Sequence, residues 1–159
     1  MKAREGVLKF LNQVLKAELT AMHQYLLHAA MCKNWGYERL HDYYGHLANE
    51  EVLHSAELID HILYLSGTSD VAQIDPIAHG NNVEALFRAD LNFEREDVEL
   101  LRTAIAHSTT VGDFTTRHLL EHMIQDSEKH VDWFETRLRT ISQVGLERFV
   151  SEQIKKEAR

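Results

Sequence analysis

Proline limits where a helix can run more than any other residue, and this chain of 159 residues has one, Pro76. Its ring removes a backbone donor and clashes with the preceding turn, so helices stop at it. With Pro76 near the middle and only seven glycines, each half is free to form long helices, whereas an all-β chain needs many more turn residues. The apolar positions agree with this. Val7, Leu8, Leu11, Leu15, Leu19, Met22, Leu26 and Ala29 recur at helical spacing and predict a helix over about 4–34, ending before Gly36. Leu40, Tyr44, Leu47, Val52, Leu58, Ile62 and Leu65 predict a second over about 37–65, stopped by Ser66-Gly67-Thr68. Gly45 lies inside it, where glycine costs up to ~1 kcal/mol against alanine, and close packing there is the expected reason. A third helix over about 82–108 carries Val83, Leu86, Leu91, Val98 and Leu101. Asp113 is the expected N-cap of a fourth over about 114–142, and a short fifth follows Gly145 over about 146–155. Residues 69–81 form a link long enough to cross a bundle from end to end. The expectation is an all-α chain, one domain over 1–159: a four-helix bundle with one long crossover and a short fifth C-terminal helix.

Composition narrows the function. Lys plus Arg is 17 against 25 Asp plus Glu, a net charge of −8, which argues against nucleic acid as a partner and suits cations. No apolar run approaches the ~20 residues of a membrane span, and the opening Met-Lys-Ala-Arg-Glu-Gly leads into no signal-peptide core. The lone Cys32 has no internal disulfide partner, so a reducing, cytoplasmic compartment is expected, with Cys32 a small buried apolar residue.

Buried carboxylates cost several kcal/mol unless something positive pairs with them, so acidic residues among the apolar stripes carry the information. Glu18 lies between Leu15, Leu19 and Met22; Glu51 and His54 lie among Leu47, Leu58 and Ile62; Glu94 lies between Leu91 and Val98; His130 falls between Met123 and Trp133. A Glu-x-x-His pair places both side chains on one helix face. With 16 glutamates and 11 histidines such a pair arises by chance, and Glu38-x-x-His41 is a second, surface example. The offset between halves says more. Seventy-six positions separate Glu18 from Glu94 and His54 from His130, whereas Glu51 maps onto Ser127. Two copies of one helical hairpin, each with a glutamate on its first helix and Glu-x-x-His on its second, would gather carboxylates and imidazoles around two metals. Oxygen donors with one nitrogen per metal suit iron or manganese, with zinc a third choice. Spacing alone also allows the plainer reading, half-buried residues joined by salt links.

At these residues the chain resembles the bacterioferritins. The matching stretches are Glu18-Leu19-Thr20-Ala21, Gln24-Tyr25-Leu26-Leu27-His28-Ala29, Lys33-Asn34-Trp35-Gly36, Ile62-Leu63-Tyr64-Leu65, His130-Val131-Asp132-Trp133-Phe134-Glu135 and Gly145-Leu146-Glu147. The resemblance runs from end to end. It implies a ferritin-like bundle, self-assembly into a hollow shell of 24 subunits, oxidation of Fe(II) by O2 or H2O2 at an intrasubunit di-iron site, and storage of ferric mineral. It further implies Glu18 and Glu94 as terminal ligands, Glu51 as a bridge, His54 and His130 as one ligand to each metal, and Tyr25 as the aromatic residue beside the site. His46 and Glu50 match an inner-surface metal position, although a histidine and a carboxylate four apart are commonly a solvated face.

Two departures qualify the resemblance. Ser127 stands where the second bridging glutamate belongs; a serine is neutral and too short to span two metals. Its neighbours Asp126 and Glu128 are each turned ~100° away, so water is expected in the gap, with weaker binding at the second metal. Val52 stands where the family's haem-ligating methionine belongs, and valine has no donor, so haem b is not expected through this subunit. Met22 and Met31 are expected in packing roles and His23 at the surface. Two functions therefore stay foremost: a working ferroxidase and iron-storage subunit, or a structural subunit that co-assembles with a partner bacterioferritin subunit supplying haem, a complete di-iron site, or both; a different di-metal oxidoreductase on the same bundle is a third, disfavoured by the end-to-end match. Ser66 stands where the family often has a carboxylate near a pore. His41, His61, His79, His107, His118 and His122 are expected at the surface, with His118, Glu121 and His122 on one helix face.

Overall fold

A computed structural model describes residues 1–154. Five helices follow one another: α1 (Val7–Asn34), α2 (Glu38–Tyr64), α3 (Val83–Thr110), α4 (Phe114–Val144) and α5 (Leu146–Ser151). The expected start near residue 4 moves to Val7 because Gly6 adopts a left-handed conformation with φ 77°, which ends a right-handed helix. A Cβ built at Gly6 would also lie 2.6 Å from His107 Nε2 at the far end of α3. Asn82 and Asp113 cap α3 and α4 by accepting from Ala85 N at 2.8 Å and Thr116 N at 2.9 Å. The expected end of the fifth helix near Lys155 lies outside the described residues. Gly45 corrects the sequence reading, since a Cβ built there meets nothing within 4 Å; among the described residues no close approach requires glycine at that point of α2.

α1 packs along α2 and α3 along α4, and the two hairpins meet through α1 and α3. His107 Nε2 reaches Glu5 O at 2.7 Å, so the end of α3 lies beside the start of α1. The link between hairpins climbs α1 in rungs. Asn12 accepts from Asp70 N at 2.8 Å, Thr20 from Asp75 N at 2.9 Å and Gln24 from Ala78 N at 3.0 Å, while His28 Nε2 sits 2.8 Å from Ala78 O. α2 and α3 consequently run in the same direction, the crossover topology the sequence predicts. The upper rungs continue inward to the buried Asp90, which accepts from Gln24 at 2.7 Å and Tyr44 at 2.5 Å and lies 2.8 Å from His28 Nδ1.

The interior is divided. One apolar cluster holds Tyr25, Tyr44, Phe87, Phe134 and, from α5, Phe149. The other holds Leu11, Leu15, Leu58, Ile62, Leu101 and Leu120. Each fully buried side chain of these types contributes roughly 1.5–3 kcal/mol. Between them lies a polar layer of Glu18, Glu51, His54, Glu94, Asp97, Ser127 and His130, every one at 5% exposure or less. Among the described residues no helix is long and apolar enough to cross a membrane.

Candidate metal centre

Four helices supply the polar layer because each carries its acidic or imidazole residue on the stripe that also carries its leucines. α1 contributes Glu18, α2 Glu51 and His54, α3 Glu94, and α4 His130. His54 Nδ1 lies 3.0 Å from Glu18 Oε2 and 3.3 Å from Glu51 Oε2. His130 Nδ1 lies 3.0 Å from Glu94 Oε1 and 3.8 Å from Glu51 Oε1. Glu51 thus turns one oxygen to each imidazole. Ligand atoms of Glu18, Glu51 and His54 all fall within 4.8 Å of one another, and so do those of Glu51, Glu94 and His130. Two three-donor groups sharing one carboxylate is the dinuclear arrangement that the 76-residue offset suggests.

The outward nitrogens are also held. His54 Nε2 lies 3.0 Å from Asp126 Oδ2, and His130 Nε2 lies 2.7 Å from Glu50 Oε2. A carboxylate behind each ring takes the Nε2–H and leaves Nδ1 to face a cation. Glu50 and Asp126 are again 76 positions apart, so the repeat extends to the groups that aim the histidines. Sequence reasoning missed this use of Asp126, although the offset from Glu50 was there to be read. Glu50 turns its other oxygen to His46 at 3.1 Å, with the His46 side chain 67% exposed. His46 and Glu50 therefore lie side by side, but the carboxylate is already engaged in orienting His130. Tyr25 is buried and donates its hydroxyl to Glu94 Oε1.

The charges are tightly balanced. Burial acts against ionised Glu18, yet hydrogen bonds from Glu51 and His54 and the charges of both histidines bring its carboxyl below the usual range. Burial, with the charge of Glu18 beside it, pushes Glu51 well up, so the proton between the two resides on Glu51. Burial also raises Glu94 against the pull of His130. Burial works to lower both histidines but loses to the surrounding carboxylates: Glu18 and Asp126 raise His54 to about 9, and Glu50, Glu94 and Glu51 raise His130 to about 10. Metal-free, the site is a cage of protonated imidazoles and partly protonated carboxyls, and cations entering it would displace those protons.

Ser127 occupies the position one turn before His130 and is buried. Its hydroxyl donates to Asp97 Oδ2 at 2.9 Å, with Met123 O at 3.3 Å. Asp97, which the sequence reading did not single out, is on α3 one turn beyond Glu94 and is 5% exposed. Burial pushes its carboxyl well up, and the charges of Glu18 and Glu94 add to this. Its counterpart under the repeat is Ala21, so the offset could not find it. The readable signal was Glu94-x-x-Asp97, two carboxylates on one helix face. Asp126 does not fill the gap left by Ser127, since it lies behind His54. Val52 is 46% exposed, turned out of the bundle while Glu51 turns in. Three histidines expected at the surface hold local structure instead: His41 Nδ1 reaches Ala29 O at 2.9 Å, His61 Nε2 donates to Thr116 Oγ1 at 2.7 Å, and His107 joins α3 to Glu5. Glu121 pairs with Arg117 at 2.7 Å rather than with His118 or His122.

The oxygen-rich donor set, with one imidazole per group, fits a pair of divalent cations of the iron or manganese type. Comparison with known proteins points the same way. The family model described as a ferritin-like domain matches residues 8–144. A bacterial ferritin of Synechocystis sp. is 35% identical over 155 residues, 97% of this chain and 99% of its own. A bacterioferritin of Mycolicibacterium paratuberculosis is 35% identical over 147 residues, 92% of each chain. A bacterial ferritin of Pseudomonas aeruginosa is 34% identical over 155 residues, 97% of this chain and all of its own. With a ferritin-type bundle, a shared-carboxylate centre at its middle and relatives matched along nearly their whole length, the chain belongs to the ferritin family, among its bacterial ferritins and bacterioferritins.

Proposed function

We propose that the chain is an iron-storage subunit that oxidises Fe(II) within its own helical bundle and passes ferric iron to a mineral held in a cytoplasmic shell of 24 copies. The observation that carries this reading is the sharing of Glu51 between two carboxylate–imidazole groups. Glu18 and His54 take one Fe(II) ion, Glu94 and His130 the other, and Glu51 holds the pair side by side. Two ions so held give up two electrons together to one molecule of O2 or H2O2, one from each, which avoids releasing a one-electron product. Asp126 and Glu50 keep the two Nδ1 atoms pointed inward throughout. Tyr25, bonded to Glu94, positions that ligand. The excess of acidic residues draws Fe(II) towards the protein.

Assembly is supported by the outer faces of α1 and α2, which leave Leu26, Val52 and Leu53 at 55%, 46% and 64% exposure. Apolar side chains so placed are suited to contact between copies. Because Val52 offers no donor atom, haem is not held through this position. A second reading, a shell-forming subunit that relies on a partner for oxidation, is favoured by Ser127 and Val52 together.

Fe(II) added in air to the purified protein separates them. A rise in ferric absorbance within seconds, absent when Glu51 and His54 are both changed to alanine, is the expected result. The same slow rise in both proteins would overturn the ferroxidase reading and leave the structural one.

A further inference from the structure

Ser127 removes a carboxylate from α4, yet the space it vacates is not empty of charge. Asp97 of α3 lies against it, with Oδ2 accepting from Ser127 Oγ at 2.9 Å. The other oxygen, Asp97 Oδ1, is buried and has no hydrogen-bond partner among the described residues. A buried carboxylate oxygen without a partner is costly, ~1–3 kcal/mol or more for a group of this kind, and one at the centre of a fold is open to a water or an ion. Asp97 is one turn from Glu94 and lies on the same face, within electrostatic reach of Glu18, Glu94 and His54. Full-length glutamate at 127 would have to occupy the region where Asp97 and the serine hydroxyl now meet. Small residue and new carboxylate are complementary.

Resting on the dinuclear reading above, we propose that Asp97 supplies the fourth carboxylate of the centre, so that the ligand missing from α4 is furnished by α3 through Oδ1 while Ser127 fixes Oδ2. This replaces the expectation of water in the gap. The donor set returns to four carboxylates and two imidazoles, and the second metal position is complete rather than impaired.

Co(II) titration of the metal-free, purified protein tests this without any turnover, by the number of ions bound per subunit and their visible absorption. The unaltered protein is expected to bind two Co(II) per subunit. Asp97→Asn keeps the shape and the Ser127 contact, and it should bind one tightly and the second weaker by on the order of 100-fold, the upper range seen even for groups that merely support ligands. Asp97→Asn combined with Ser127→Glu should regain the second ion. Circular dichroism and thermal melting of the metal-free variants separate ligation from packing. A purely structural Asp97 would lower melting in Asp97→Asn and leave two Co(II) bound with an unchanged spectrum, which overturns the assignment. Fewer than two Co(II) in the unaltered protein would overturn the dinuclear reading itself and this assignment with it.

Discussion

Metal uptake at this centre will be an exchange of cations for protons, and its pH dependence follows from the geometry. The Nδ1 atoms that must face a metal are, in the metal-free protein, the ones hydrogen-bonded to Glu18 and Glu94. The surrounding carboxylates raise His54 to about 9 and His130 to about 10. At pH 7, removing those protons costs about 3 kcal/mol at the first ring and about 4 kcal/mol at the second, at roughly 1.4 kcal/mol per pH unit. Each metal therefore binds about tenfold more tightly for every unit of rising pH between 6.5 and 8.5, and Glu51, whose carboxyl is pushed well up by burial and by Glu18, adds to the slope rather than reducing it. Competitive Co(II) titration against a chelator of known pH dependence measures the slope. Proton release in weakly buffered solution gives a second estimate, expected to be at least two per pair of ions. Both histidines titrate higher in the fold than in the unfolded chain. Their stabilisation of the metal-free protein is therefore fully present below about pH 6.5 and is lost as pH rises through 9 to 10. Melting temperature should fall over that range without metal and stay level with metal bound. An affinity that is flat between pH 6.5 and 8.5 would refute the reasoning, because it would mean the rings are already neutral in the empty cage.

Three further outcomes follow. Asp126→Asn should weaken the metal at His54 and Glu50→Gln the metal at His130, each by about 10–100-fold, and isothermal titration of each variant should show one altered site and one unaltered. Gly45→Ala should stabilise α2 by about 0.5–1 kcal/mol, while Gly6→Ala, strained at φ 77° and driven into His107, should destabilise by at least as much; chemical denaturation of the two variants will show opposite signs. Protein purified to homogeneity should lack a stoichiometric Soret band, since Val52 supplies no axial donor, and a strong band would mean that haem is held by other residues.

Most of the fold was legible because long helices need little more than an unbroken apolar period, and Pro76 and the glycines break it in few places. Four residues of the candidate centre were legible for a related reason: a duplicated hairpin prints its site twice, so Glu18 with Glu94 and His54 with His130 reinforce each other against chance, while Glu51 stood out only as the first member of Glu51-x-x-His54. The same device explains what was missed. Asp97 has no repeat partner, and in Glu94-Arg95-Glu96-Asp97 it reads as one more surface acid until packing shows it inside. Asp126 was considered only along its own helix, as a replacement for Ser127, whereas its role lies across the bundle at His54. The Asp90 cluster with Gln24, His28 and Tyr44 joins residues far apart in sequence and leaves no local signature. Gly45 marks the reverse error, a residue given a packing role by its cost alone.

The division of the interior into two apolar clusters separated by a charged layer has a mechanical consequence. An ordinary bundle is firmest at its middle and frays from its ends. Here both ends are plugged with aliphatic and aromatic side chains, and the waist is held by buried ion pairs and hydrogen bonds in place of apolar packing. Without metal the waist is the weakest cross-section, so amide hydrogens around Glu18, Glu51, Glu94 and Ser127 would exchange sooner than their depth suggests. Cations held there, as the proposed function requires, would rivet the four helices at that waist, and loading and unloading them would alternately stiffen and loosen the subunit from the centre outward, leaving both ends closed.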